Sequence, residues 1–505
     1  MLRIAFPWAL AGAACALSAQ TYQIGGSGSS EKPQAKKPQS QAQQLGWGSN
    51  IQNARIARAA QLALQRGEKW QALDFARRAV KSAPNDPQLW FLLGYAARLN
   101  NQFKESEAAY QHGLSLSPGS PEGNSGLAQV YSQMGRSADA ERLLALVIAA
   151  DPRQRDDLLL MGELHMRDKD YQGALNWLSR AESLKPDARS EVLLAMSYQQ
   201  VHKLDMADHF LELARHRDPG NPEVERSLAN YYRQVGKYGD AVTALKAIRN
   251  PHPDVVAELG YTYQLDGKMD DSAREYAHAA DAAPKDLDFQ LAAAQAQVAA
   301  AAPDQADTFL ARASGIDANN YRLHAIRGEI ARMKDNNEEA AKEYNDAIGH
   351  LPAEPAEGPL YGVQLHVDLM QIVQALGDEA AAHRELATAE QQIGALNEQG
   401  ADRGSFLRLR AVIKLSAGNL DGALADVHEA LAANSTNRDD LQLDGDILMK
   451  MGRTEEALAT YKRVLAIDAD NRFALISLGY ASRALGRNQD AEKYFKRLAQ
   501  VDPNS

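Results

Sequence analysis

Pro84, Pro118, Pro152 and Pro186 follow one another at intervals of thirty-four residues. A fixed period of this length constrains the fold more than any total, because it builds a stack of like units rather than separate closed domains. Pro219, Pro253, Pro284, Pro352 and Pro503 close later units, with small changes of length. Each falls where a helix has to stop, since the proline ring cannot continue one. Between prolines run two apolar-periodic helical stretches, broken by a short turn. The turns carry Gly67, Gly135, Gly236, Gly267, Gly377, Gly418, Gly452 and Gly486. Hydrophobic residues are 45% of the chain but aromatics only 7%, and Ala is abundant. Such a composition suits helices that approach one another closely.

Near the start of each second helix stands a small residue. Aligning thirteen units gives Ala72, Ser106, Ala140, Ala174, Ala207, Ala241, Ser272, Ala306, Ala340, Ala382, Ala423, Ala457 and Ala491. A large side chain there would force the two helices of a hairpin apart. Around it, the second unit offers Trp90, Leu93, Gly94, Tyr110 and Pro118, and the seventh Leu259, Gly260, Tyr263, Gly267, Tyr276 and Pro284. The last offers Leu478, Gly479, Gly486, Ala491, Phe495 and Pro503. In these residues the chain resembles the tetratricopeptide-repeat (TPR) family over residues 52–505. The resemblance implies an all-α, right-handed superhelical solenoid of about thirteen hairpins.

The units vary. Asn250-Pro251-His252-Pro253 shortens the sixth interval, and the eighth unit ends in Asp317-Ala318-Asn319-Asn320 without its proline. The stretch Ala353 to Pro359 cannot continue a helix, and the tenth unit runs on through Asn397 to Asp402. We therefore expect repeats 1–9 over 52–352, a joint at 353–362 that is either a hinge or a fixed kink, and repeats 10–13 over 363–505.

Residues 1–19 read as a secretion signal. Arg3 is a short positive region, Ile4 to Leu17 is uncharged and mostly apolar, and small residues offer cleavage after Ala16 or Ala19. The apolar run is shorter than the ~20 residues of a membrane span. Cys15, the only cysteine, lies in Gly12-Ala13-Ala14-Cys15, a faint likeness to a lipobox with Gly12 where a larger aliphatic usually stands. The lesser reading is thus peripheral membrane association through a lipidated Cys15. Cleavage after Cys15 instead leaves a mature chain without thiols. Residues 20–51 are rich in Gln, Ser, Gly, Lys and Pro without apolar periodicity, as expected of a disordered tether.

The sequence shows no serine-hydrolase elbow, phosphate loop, HExxH or CxxC pair. A net charge of −11 gives no basic footprint for nucleic acid, and Lys32, Lys36 and Lys37 serve to solubilise the tether. His202, His209 and His216 lack the i, i+4 spacing and the third ligand of a metal site. Asp468-Ala469-Asp470-Asn471 lacks the Gly and Glu of a calcium loop, with Phe473 and Gly479 in their places. We expect no cofactor, no metal and no catalysis, since the segments outside the repeats are too short for a catalytic domain.

The resemblance implies that first helices line a peptide-binding groove. Mapped unit by unit, its positions are Phe91, Tyr95 and Arg98; Ser125, Gln129 and Gln133; Glu163; Met196, Gln199 and Gln200. Arg226, Asn230, Arg233 and Gln234 follow, then Tyr261, Gln264 and Tyr480. Tyr and Arg are enriched at binding hot spots, and Tyr95, Tyr261 and Tyr480 stand out as aromatics off the packing face. The carboxylate clamp of chaperone-binding TPR domains is broken: after Arg226 and Asn230 come Glu258, Asp288 and Ala292. The implied function is an exported bacterial scaffold or adaptor in the cell envelope that binds a protein or peptide. A narrower reading is a periplasmic assembly subunit of an envelope machine, such as polysaccharide export or outer-membrane biogenesis.

Overall fold

A computed structural model describes residues 51–396 and 402–501. The expected signal, tether and Cys15 lie outside the described residues. All regular structure within them is helical, from Ile51–Gln65 to Asn488–Val501. The helices pair into thirteen hairpins, each a first helix packed on the second that follows it. No helix among the described residues is long and apolar enough to cross a membrane.

The thirteen small residues are the points where the pairs meet. All are buried, most of them completely, and the most exposed is Ala382 at 6%. Opposite each, twelve residues back on the first helix, stands another small residue in nearly every hairpin. In the second hairpin, Pro87–Leu99 with Phe103–Leu116, that residue is Gly94. Ser106 Oγ donates to the Gly94 carbonyl at 2.6 Å, and a Cβ on Gly94 would lie 2.6 Å from Tyr110 Cδ2. Close helix approach makes the slot, and the aromatic four residues beyond the crossing fills it. Tyr276, Tyr344, Tyr461 and Phe495 fill the matching slots at Gly260, Gly328, Gly445 and Gly479. The tenth hairpin departs, with Met370 in the slot position.

Every hairpin turn places one residue in the left-handed region. Eight are the glycines named above; the other five are Asn101, Lys169, His202, Ala301 and Asp335. In each the chain closes by paired backbone bonds of the Schellman type, such as Gln102 N to Ala97 O at 2.9 Å and Asn101 N to Arg98 O at 3.0 Å. The sequence marks only the glycine turns because hydrogen-bond closure, rather than residue identity, fixes this backbone. The prolines Pro84, Pro118, Pro152 and Pro186 sit just past the second helices, which end at Ser82, Leu116, Ala150 and Leu184. Many first helices start with side-chain caps: Asp86, Asn221, Asn437 and Asn471 accept from backbone amides of the first turn.

The hairpins form two compact units that divide between Arg249 and Asn250. Hairpins 1–6 make the N-terminal unit, where second helices pack on the first helix of the next hairpin. Its core runs through Leu89, Tyr110, Leu144, Leu178 and Leu194. Hairpins 7–13 make the C-terminal unit, with cores around Leu291, Tyr344 and Leu441. Residues 353–362 lie inside this second unit. There Tyr321 of the ninth hairpin donates to Glu357 Oε2 at 2.6 Å, and Arg322 pairs with Glu357 at 3.1 Å.

Candidate protein-binding surface

The residue after the small contact position of each first helix falls on the edge of the packed face. In the N-terminal unit this register reads Gln61, Tyr95, Gln129, Glu163, Met196 and Asn230. In the C-terminal unit it reads Tyr261, Gln295, Glu329, Gln371, Val412, Asp446 and Tyr480. Three residues on, one turn along the same face, come Arg98, Arg233, Gln264, Arg332 and Arg483 among others.

Burial divides the expected groove residues. Phe91 is buried at 2% exposure and packs on Tyr110, ring centroids 6.1 Å apart; Gly113 and Gly123 give it room. It is core, not groove. Tyr95 is also buried, at 8%, with the Arg98 guanidinium 5.3 Å over its ring, so its aromatic character is accounted for by packing. Ser125 is buried too, donating to Asp157 Oδ2 at 2.8 Å. These three were expected to be accessible because the helical register alone does not say how far the neighbouring hairpin covers a position. Arg98, Gln129, Gln199, Arg226 and Arg233 are half-buried, and Asn230 is exposed. Tyr261 and Gln264 are half-buried, while Tyr480 is 59% exposed and meets Phe495 edge-on at 5.5 Å. Glu163 is committed to Arg189.

Sequence reasoning missed the carboxylates along these edges in the C-terminal unit. In the ninth hairpin, Tyr321–Met333 with Asn337–Gly349, Arg332 pairs with Glu329 at 2.6 Å and Tyr344 donates its hydroxyl to Glu329 at 3.2 Å. The twelfth, Arg438–Lys450 with Thr454–Ile467, repeats the device: Tyr461 donates to Asp446 at 2.6 Å and Gln442 donates to it at 3.1 Å. Burial raises the Asp446 carboxyl, and the two donors oppose it. In the tenth, Leu360–Ala375 with Glu379–Ala395, Gln364 donates to Asp368 at 2.8 Å. Desolvation first, then the Glu329 carboxylate, pushes Asp368 up to about 7. The signal is the register itself: Glu329 and Asp446 stand at the positions of Tyr95 and Tyr480.

Edges of first helices therefore carry amides, guanidinia, a few aromatics and, in both units, carboxylates. They offer hydrogen bonds and ion pairs to a polypeptide. Two family models, each described as tetratricopeptide repeat, match this chain, one at residues 97–158 and one at 58–121 and 444–505. The matched stretches are tetratricopeptide repeats. Cellulose synthase operon protein C of Pseudomonas fluorescens (strain SBW25) is 26% identical over 188 residues, 37% of this TPR chain and 13% of the relative. Protein O-mannosyl-transferase TMTC1 of Homo sapiens is 23% identical over 180 residues, 35% of this chain and 20% of that protein. The chain thus spans a small part of the length of these relatives. A crystal structure of a tetratricopeptide repeat protein from Parabacteroides merdae ATCC 43184 aligns at 14% identity and a TM-score of 0.40, over 49% of this chain and all of that one.

Proposed function

We propose that this TPR protein is an exported scaffold of the cell envelope that holds a protein partner along its first-helix edges and carries out no chemistry itself. The observation that carries the reading is the recurrent polar register, in which Asn230, Gln264 and Tyr480 stay accessible or half-accessible while the crossing residues beside them are buried. Accessible polar and aromatic side chains at a fixed register of successive repeats are suited to contact an extended peptide. Export is supported by the signal-like residues 1–19.

Crosslinking mass spectrometry in native envelopes tests this. A partner crosslinked beside Asn230, Gln264 or Tyr480 is expected, with recovery reduced by the Asn230→Ala, Arg233→Ala variant. Crosslinks confined to second helices, or secretion unchanged by deletion of residues 1–19, would overturn the respective half of the proposal. A second reading, a subunit of a polysaccharide-export machine, is favoured by the match to cellulose synthase operon protein C. It predicts loss of polymer secretion in a deletion strain, which a general adaptor does not.

A further inference from the structure

We propose that the ninth hairpin holds a divalent transition-metal site, of the zinc class, built from His324, Glu343, Asp346 and His350. One donor atom from each of His324, Glu343 and Asp346 lies within 4.8 Å of the others. His324 and Glu343 are buried, at 9% and 8% exposure, and Asp346 is half-buried. Donors around tetrahedral zinc sit roughly 3.3–3.5 Å apart, so side-chain rotations of about 1 Å would close these three, and the exposed His350 ring has to swing further to join them.

Two observations separate this cluster from an ordinary polar contact. The first is the His324 ring: Nδ1 faces Glu343 Oε2 at 2.6 Å, so a metal held there takes the place of the proton that this buried pair shares. The second is His350, whose ring stacks over that of His324 at 5.6 Å and 12°. His350 Nδ1 lies 2.8 Å from the Asp346 carbonyl oxygen. A proton on Nδ1 donated to that carbonyl leaves Nε2 as a bare lone pair, the arrangement that orients ligating histidines. Two imidazoles and two carboxylates form a mixed nitrogen and oxygen set, which suits zinc and its neighbours rather than calcium or magnesium.

The tenth hairpin supplies an internal control. His366 and Glu385 occupy the same register and pair at 2.7 Å, so the histidine–glutamate clasp alone does not single out the ninth hairpin. But Thr388 and Gln392 stand where the ninth hairpin has Asp346 and His350. Only the ninth has a set of ligands to complete.

The test is zinc titration of the tag-free full chain against a chromophoric chelator, with cobalt(II) absorption as the second readout. One equivalent retained per chain is expected, with the intense visible bands of tetrahedral cobalt. His350→Ala and Asp346→Asn, both toward the surface, should each weaken retention at least about tenfold without changing helicity by circular dichroism. His324→Ala should abolish it, and His366→Ala should leave it unchanged. Failure to retain zinc, or equal retention in the Asp346→Asn, His350→Ala double variant, would overturn the proposal. It does not rest on the scaffold reading: partner crosslinks can be lost while zinc binding stands, and the reverse.

Discussion

The two units bridge neighbouring first helices at one register with opposite chemistry. In the N-terminal unit Ser125 of the third hairpin donates to Asp157 of the fourth; in the C-terminal unit Arg408 of the eleventh pairs with Asp440 of the twelfth at 2.5 Å. Donor and acceptor fall at the same places relative to the crossing contact, and both aspartates are almost wholly buried. A hydroxyl answers one oxygen only: Asp157 Oδ1 is buried without a partner. Desolvation pushes that carboxyl up to about 6, against the Ser125 bond that lowers it. A guanidinium neutralises the charge as well as satisfying an oxygen. The repeat fixes where a bridge goes, and the residues there decide whether a buried anion is tolerated or resisted.

The largest expected effect breaks the stronger bridge. Arg408→Ala leaves Asp440 as an uncompensated buried charge, and the loss should be about 3–5 kcal/mol in the unfolding of hairpins 11–13. Hydrogen exchange in those helices against urea is the measurement. Replacing both partners with leucine should recover most of that loss, because two apolar residues leave no charge behind. A single variant as stable as the parent would mean that water reaches Asp440 and that the two bridges do not differ in kind.

The weaker bridge should respond to pH. Asp157 is an acid whose folded pKa is raised from 3.8 to about 6, so the folded chain keeps a proton that the unfolded chain releases between these values. Stability from this group therefore falls as pH rises through that window and is flat above and below it. Asp157→Asn should be more stable than the parent by about 1–3 kcal/mol at pH 8 and equal to it at pH 3. Urea midpoints of the two proteins across this range give the answer. Parallel pH profiles would show that Asp157 is ionised without penalty.

How much of this was legible beforehand depends on whether it repeats. The crossing residues and eight of the turns could be read from Ala72 to Ala491 and from their glycines, since the same steric demand recurs thirteen times. Which edge positions stay accessible could not, because the neighbouring hairpin decides it: Phe91 and Tyr95 are covered, and Tyr480 is not. Bridges such as Arg408–Asp440 were illegible for the same reason, each needing two hairpins to meet. The five turns without glycine hide behind residue identity while keeping the backbone.

Those turns supply a smaller effect. Ala301, in the C-terminal unit, holds φ 58°, where Asn101 holds 57° at the same place in the N-terminal unit. An asparagine tolerates the left-handed region through local hydrogen bonds, whereas alanine bears the full contact of its Cβ with the carbonyl. Ala301→Gly should stabilise the eighth hairpin by about 1 kcal/mol, and Asn101→Gly should change little. Equal shifts in the melting of both variants would argue that the turn residue acts through unfolded-chain entropy alone.

The smallest expected change in stability tests the register where the units differ most in exposure. Tyr480 is 59% exposed and Tyr95 8%, at the same position in their hairpins. Truncating Tyr480 removes its edge-on contact with Phe495, an aromatic pair of about 0.5–1.5 kcal/mol, and exposure places it toward the low end. Tyr480→Ala should therefore leave urea unfolding nearly unchanged while weakening capture of the proposed protein partner, and Tyr480→Phe should keep most of the capture if the ring rather than the hydroxyl is what is recognised. Should Tyr480→Ala instead destabilise the thirteenth hairpin as strongly as a core truncation, its ring would be holding that hairpin together, and the register would be structural at both ends.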